Sequence, residues 1–269
     1  GTPSITAGSW PTATITGNRT SGSKIITGLA STTALRSGQS VTGTGIPAGT
    51  KIDTVDSSSQ VTLTANATSG ASTATSLTFQ TVVLNLQLNG TIDGAGGKGG
   101  KGRSESSGYV SPTAGQAGGT ALYTRAYVNV TYGAAGKLRG GGGGGGGSAT
   151  GDGSDLVGGG GGGGAGTIVG PAGPAGTGTQ TAEAGQPGTA ETGGLGGRSW
   201  TKNTPFAFAK LDSNYRGGTG GDIGLAGSDG ADQYSHSGAS GGAAGKAIDG
   251  ASYVTQSGTP ASLLGGQVN

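Results

Sequence analysis

His236 is the only histidine in the chain, with Asp229 and Asp232 upstream of it and Ser235 and Ser237 on either side. Serine, histidine and aspartate are the residue types of nucleophilic hydrolysis. Yet no Gly-x-Ser-x-Gly motif opens a helix here, and a lone histidine beside aspartates in a loop reads as ordinary surface. The carboxylates Asp152, Asp155, Asp222, Asp229 and Asp232 are sparse and do not follow a calcium-loop spacing. With no cysteine, thiolate metal sites and disulfides are excluded. The glycine runs invite a phosphate-cradle reading, but no Gly-x-x-x-x-Gly-Lys-Ser/Thr is present. Gly-x-Gly-x-x-Gly matches arise by chance when 66 of 269 residues are glycine. The expectation is a protein that is not an enzyme, with no catalytic residue, metal site or cofactor.

What remains is chemistry of contact. All seven tyrosines lie beyond residue 90, and none sits in a glycine run. An amphipathic ring in an exposed loop gives contact area at low entropic cost. The candidate ligand contacts are Tyr109 and Val110 in the segment 103–113, Ser154, Asp155 and Leu156 in 148–157, Trp200 and Tyr215 in 198–216, and Tyr234 and His236 in 228–237. Tyr123, Tyr127 and Tyr132 read instead as a small packing cluster. Trp200 has a second reading, as part of an apolar plug with Phe206 and Phe208.

Two regions must position these loops. Residues 1–89 hold ten of the 66 glycines and read as a small Thr-rich β-domain. Alternation at Ala13–Thr16, Lys51–Asp56 and Gln60–Thr64, separated by turn clusters such as Gly43–Gly49, predicts a small antiparallel sandwich or barrel. Residues 90–269 hold the other 56 glycines. Leucine, isoleucine, valine and phenylalanine are too few there for a conventional core.

The glycines repeat every three residues in Gly96–Gly102, in Gly170–Gly176 and from Gly218 to Gly230. Three residues per turn is polyproline-II geometry, neither the α-helical nor the strand period. The eight-glycine run 140–147 would span roughly 25 Å at that rise. Such a helix makes no internal hydrogen bonds, so its amides need neighbours. The expected fold is therefore an all-β N-terminal module (1–89) followed by a bundle of polyglycine-II helices (90–269) with distal loops and essentially no α-helix. An internal repeat adds detail. Leu84–Leu88 then Gly90-Thr91-Ile92-Asp93-Gly94, and Val128–Tyr132 then Gly136-Lys137-Leu138-Arg139-Gly140, both run from strand to Gly-x-Ile/Leu-x-Gly step to glycine run. The two strands are expected side by side at the base, with 103–113 and 148–157 at the far end. Whether Gly185–Gly197 crosses the bundle once or twice is left open by the spacing.

The net charge of +2, with 10% charged residues, gives no electrostatic footprint for nucleic acid. No stretch of eighteen apolar residues occurs. A chain that opens on Gly1 reads as a fragment or a processed product.

Asn89–Gly94 with its following Gly-Gly-Lys repeats, Gly118–Tyr123, and Leu138-Arg139 before Gly140–Gly147 resemble the glycine-rich tip of tailed-bacteriophage host-specificity proteins. The organisation is also similar to the glycine-rich adhesins of T-even-like phage long tail fibres. Val41–Thr50 looks like a β-module of phage structural proteins. The resemblance implies a tail adhesin in the virion, at the tail tip, whose loops select a bacterial outer-surface receptor, protein or glycan. It further implies other phage tail proteins as partners and a homotrimer in the full tail assembly. The alternatives are an ice-binding protein or another glycine-rich bacterial surface protein.

Overall fold

A computed structural model describes residues 4–7, 12–68, 70, 72–80, 83–105, 109–149, 157–178, 180, 182–201, 210–233 and 236–269. They form two compact units. The smaller comprises Ile5–Leu86 with Ala126–Asn129; the larger is built chiefly from Gln87–Arg125 and Val130–Asn269. Among the described residues there is no α-helix, only a single 3-10 turn at Ala251–Tyr253.

In the smaller unit six strands pair antiparallel in the order Val41–Gly43, Ser72–Gln80, Thr12–Arg19, Ile25–Thr27, Gln60–Leu63, Ile52–Ser57. The first and last strands of that order also meet. Ser40 and Lys51 form an antiparallel bridge, Val41 N donates to Thr50 O at 2.9 Å, and Ile52 N donates to Gln39 O at 2.8 Å. The sheet thus closes as a barrel, which removes the unpaired edges an open sheet would present. Period-two alternation sends Val61 and Leu63 inward. They join Ile26, Leu29, Leu35, Val41, Ile52, Leu77 and Phe79 in the core. Gly45 (φ 76°) and Gly49 (φ 79°) supply the left-handed backbone that the 43–49 turns require. Val83–Leu88 and Tyr127–Tyr132 are neighbours in a second sheet, where Asn129 Nδ2 donates to Asn85 Oδ1 at 3.0 Å.

The larger unit is held by backbone. Among its described residues, ten extended runs lie side by side: 94–103, 113–119, 140–149, 158–166, 170–177, 183–189, 193–197, 217–221, 225–231 and 238–245. Their hydrogen bonds step by three. Gly141, Gly144 and Gly147 donate to Gly119, Gln116 and Thr113. Gly142, Gly145 and Ser148 donate to Ala165, Gly162 and Gly159; Gly143, Gly146 and Ala149 donate to Leu225, Ser228 and Ala231. The carbonyls of 140–149 accept in three more interleaved series, from 94–103, 217–224 and 238–245. Run 140–149 is thus surrounded by six neighbours. Run 158–166 is surrounded in the same way, by 94–103, 140–149, 170–177, 183–189, 193–197 and 217–221. The whole pattern is a hexagonal array in rows of three, four and three, and these two pure glycine runs are its interior members.

This explains where glycine is uninterrupted. A Cβ at Gly142 would lie 2.0 Å from Gly221 O, one at Gly144 2.0 Å from Lys98 O, and one at Gly162 1.8 Å from Gly194 O. No interior glycine has a left-handed φ. Close backbone approach, not conformational freedom, selects it. In the interior nearly every amide and carbonyl is paired, at about 1 kcal/mol net per bond, which offsets glycine's ordering cost.

Peripheral runs have amides with no neighbouring run, and side chains meet several of them. Asp229 Oδ1 accepts from Gly241 N (2.8 Å), Asp232 Oδ1 from Gly238 N (2.7 Å) and Asp222 Oδ1 from Gly193 N (3.0 Å). Ser228 Oγ accepts from Thr219 N and Thr113 Oγ1 from Lys101 N, both at 2.8 Å. Removing both caps with Asp229→Ala and Asp232→Ala is expected to cost about 1 kcal/mol each, read as a lowered denaturant midpoint.

Candidate functional site

The direction of each run assigns every connection within the larger unit to one of two ends. At one end lie two three-stranded parallel sheets. Thr91–Asp93 pairs with Lys137–Arg139, and that strand with Ser262–Leu264. Leu122–Tyr123 pairs with Ile248–Asp249, and that strand with Gln267–Val268. The two Gly-x-Ile/Leu-x-Gly steps of the internal repeat are therefore in direct register, Ile92 beside Leu138. At the opposite end the described parts of the connections 103–113, 149–158, 177–183, 198–217 and 231–238 leave the runs. Gly185–Gly197 makes two crossings, reversing at 189–192, where Thr189 N donates to Thr192 O at 2.7 Å.

Of the nine candidate contacts, Tyr109, Val110, Trp200, Tyr215 and His236 fall on described parts of these connections. Ser154, Asp155, Leu156 and Tyr234 lie outside the described residues, as do Phe206 and Phe208. The backbone of Trp200 sits in the strand Arg198–Thr201, opposite Leu211 of Lys210–Arg216, and Tyr215 in that second strand is half-buried. Tyr109 and Val110 are 73% and 47% exposed. They are projected by a small antiparallel turn in which Ser104 N donates to Val110 O (3.1 Å) and Val110 N to Ser104 O (3.0 Å). The Arg103 guanidinium lies 4.8 Å from the centre of the Tyr109 ring and orients it. His236 is half-buried and closes a second turn through backbone bonds to Gln233 at 2.9 and 3.0 Å. Between these turns is a cleft of about 520 Å³ lined by Arg103, Tyr109, Ser111, Pro112, His236 and Ser237. It therefore brings together Tyr109 and His236, 127 positions apart in the chain.

One sequence reading needs correction. Tyr123 is 66% exposed rather than packed in a cluster, and Arg125 covers its ring at 4.5 Å. Tyr132 alone of the three tyrosines is buried; its hydroxyl donates to Gln256 Oε1 at 2.8 Å, and burial raises its pKa. Asp229 and Asp232 serve as amide caps, as described above.

Sequence reasoning missed the polar anchors of both ends. At the loop end Ser148 and Ser199 are buried with their hydroxyls 2.5 Å apart, and Gly159 N donates to both, at 2.9 and 3.0 Å. Beside them Arg198 grips Glu183 with two donors and holds its carboxyl below the ordinary value. At the sheet end Arg139, buried, makes a bidentate pair with Asp93 (2.8 Å for both bonds) and a second with Glu191 (2.7 and 3.0 Å). Hydrogen bonds to Asp93 and then Glu191 raise the Arg139 pKa, and the guanidinium lowers that of Glu191.

Arg139→Leu leaves the buried Asp93 carboxylate without this partner, and is expected to destabilise the larger unit by about 3 kcal/mol. Equilibrium denaturation checks it. The acid side follows from Glu183 and Glu191. Their folded pKa values lie below the unfolded 4.5, so their stabilising contribution is complete above that pH and is lost as pH falls through the lower folded values. A melting temperature flat from pH 5 to 8 and falling below about 4.5 is the expected profile.

The family model for phage tail fibre adhesin Gp38 matches residues 26–268, and the chain belongs to that family. Among solved structures, the crystal structure of the gp37-gp38 adhesin tip complex of the bacteriophage S16 long tail fiber matches at 26% identity, with a TM-score of 0.40. The match covers 67% of this chain and 58% of that one, so this chain spans less than two thirds of that relative's length. No curated protein matches.

Proposed function

We propose that this chain is the host-recognising adhesin of a phage tail, and that it acts by binding, without catalysis. The ten runs are polyglycine-II helices, and the array they form is the rigid support. The connections at the loop end contact the bacterial outer-surface receptor. The observation that carries this reading is that five connections leave the runs at one end of a hydrogen-bonded slab in a Gp38-family chain. Such loops can vary without disturbing a side-chain core, because the slab has almost none. The same reading puts the chain at the tail tip of the virion, joined to other tail proteins.

The test is competition. Purified chain should bind host cells and block phage adsorption, and should leave receptor-deficient hosts unlabelled. Equal labelling of both cell types would sink the proposal.

A further inference from the structure

The cleft between the 103–113 and 231–238 connections has a chemistry narrower than a general contact surface. Tyr109 presents its ring, 73% exposed, with the Arg103 guanidinium 4.8 Å from its centre. One aromatic face is thereby held, and the residue as a whole stays largely exposed. Arg103 is itself only 4% exposed, so it orients the ring rather than offering a charge to a ligand. The other polar side chains of the lining are Ser111, Ser237 and the His236 imidazole, with Pro112 as an apolar wall. Among the described residues, no carboxylate or lysine lines the cleft. Its volume of about 520 Å³ falls in the range of small-ligand sites.

An aromatic platform beside neutral donors and acceptors matches a particular kind of molecule. The ligand has one face of C–H groups to lie on the ring and a rim of hydroxyls to hydrogen-bond. Among the described lining residues an anionic ligand would find only the buried Arg103, and a cationic one no carboxylate. We infer that this cleft binds a neutral hexopyranose unit of a cell-surface glycan. The ring stacks on Tyr109, and its hydroxyls bond Ser111, Ser237 and His236. This rests on the adhesin reading and adds the class of the receptor.

The full chain, fluorescently labelled, is applied to host cells that are untreated, oxidised with periodate to cleave vicinal diols, or digested with protease. Binding should fall at least about tenfold after periodate and survive protease, and Tyr109→Ala should lower binding to untreated cells by about tenfold. Tyr109→Trp keeps a stacking face and should retain most binding. Circular dichroism unchanged from the parent shows that each variant is folded. Loss of binding to protease-treated cells with retention after periodate overturns the glycan assignment and leaves the adhesin reading standing. Failure to bind untreated hosts overturns both. Undiminished binding by Tyr109→Ala overturns the assignment of this cleft.

Discussion

Gly143→Ala is expected to destabilise the glycine-rich unit severely. The new methyl carbon would sit 2.0 Å from Gly242 O and 2.7 Å from Ala243 O. Both are backbone atoms of a run that is itself bonded to two others. In a side-chain core an added methyl costs about 1–3 kcal/mol because neighbours change rotamer. Here no rotamer exists to change, and moving the 238–245 run breaks its bonds to 113–119, 140–149 and 225–231. A loss of about 4 kcal/mol or more follows, lowering the melting temperature of that unit by roughly 10 °C or preventing folding. Gly162→Ala, 1.8 Å from Gly194 O, should behave alike. Gly266→Ala is the control: its Cβ meets nothing within 4 Å, and less than about 0.5 kcal/mol is expected. Thermal melts of the three variants give the comparison, and an interior alanine as stable as Gly266→Ala would mean the runs are not packed this closely.

The second large effect is on binding. Exchanging residues 105–112 for an unrelated loop of equal length should reduce adsorption by about a hundredfold, the loss of two anchor side chains at ~1.4 kcal/mol each. The melting temperature should stay within about 3 °C, because the exchange leaves the Arg103 and Thr113 bonds of the flanking runs intact. A loop-exchanged chain that adsorbs as well as the parent would place recognition elsewhere. One that fails to fold would show that the loops support the slab.

Much of this architecture was legible in the residue spacing. Triplets at Gly96–Gly102 and Gly170–Gly176 pointed to a three-residue period, and the Ile92 and Leu138 steps announced two segments entering the slab together. The fold-back at 189–192 was hidden because its signal is a hydroxyl turn. Thr189 Oγ1 accepts from Thr192 N at 2.9 Å, where a Gly-Pro or Asn-Gly pair would have been conspicuous. Barrel closure through Ser40 and Lys51 depends on two edges meeting, which local alternation does not encode. The Arg139 cluster was invisible for the same reason, since Asp93 and Glu191 lie 46 and 52 positions away. The aspartates posed a different problem. A carboxylate every third residue looks like sparse charge until the outward amides of a period-three run are recognised as groups that need acceptors.

Hydrogen exchange of the native chain, resolved by residue, tests the slab most directly. Glycine amides exchange quickly when unprotected, so protection there reports hydrogen bonding. Amides of 140–149 and 158–166 should be the slowest in the larger unit, exchanging only on its global unfolding, while the amide of the exposed Tyr109 exchanges early. Exchange of the two interior runs at unfolded-chain rates would contradict a hydrogen-bonded glycine array.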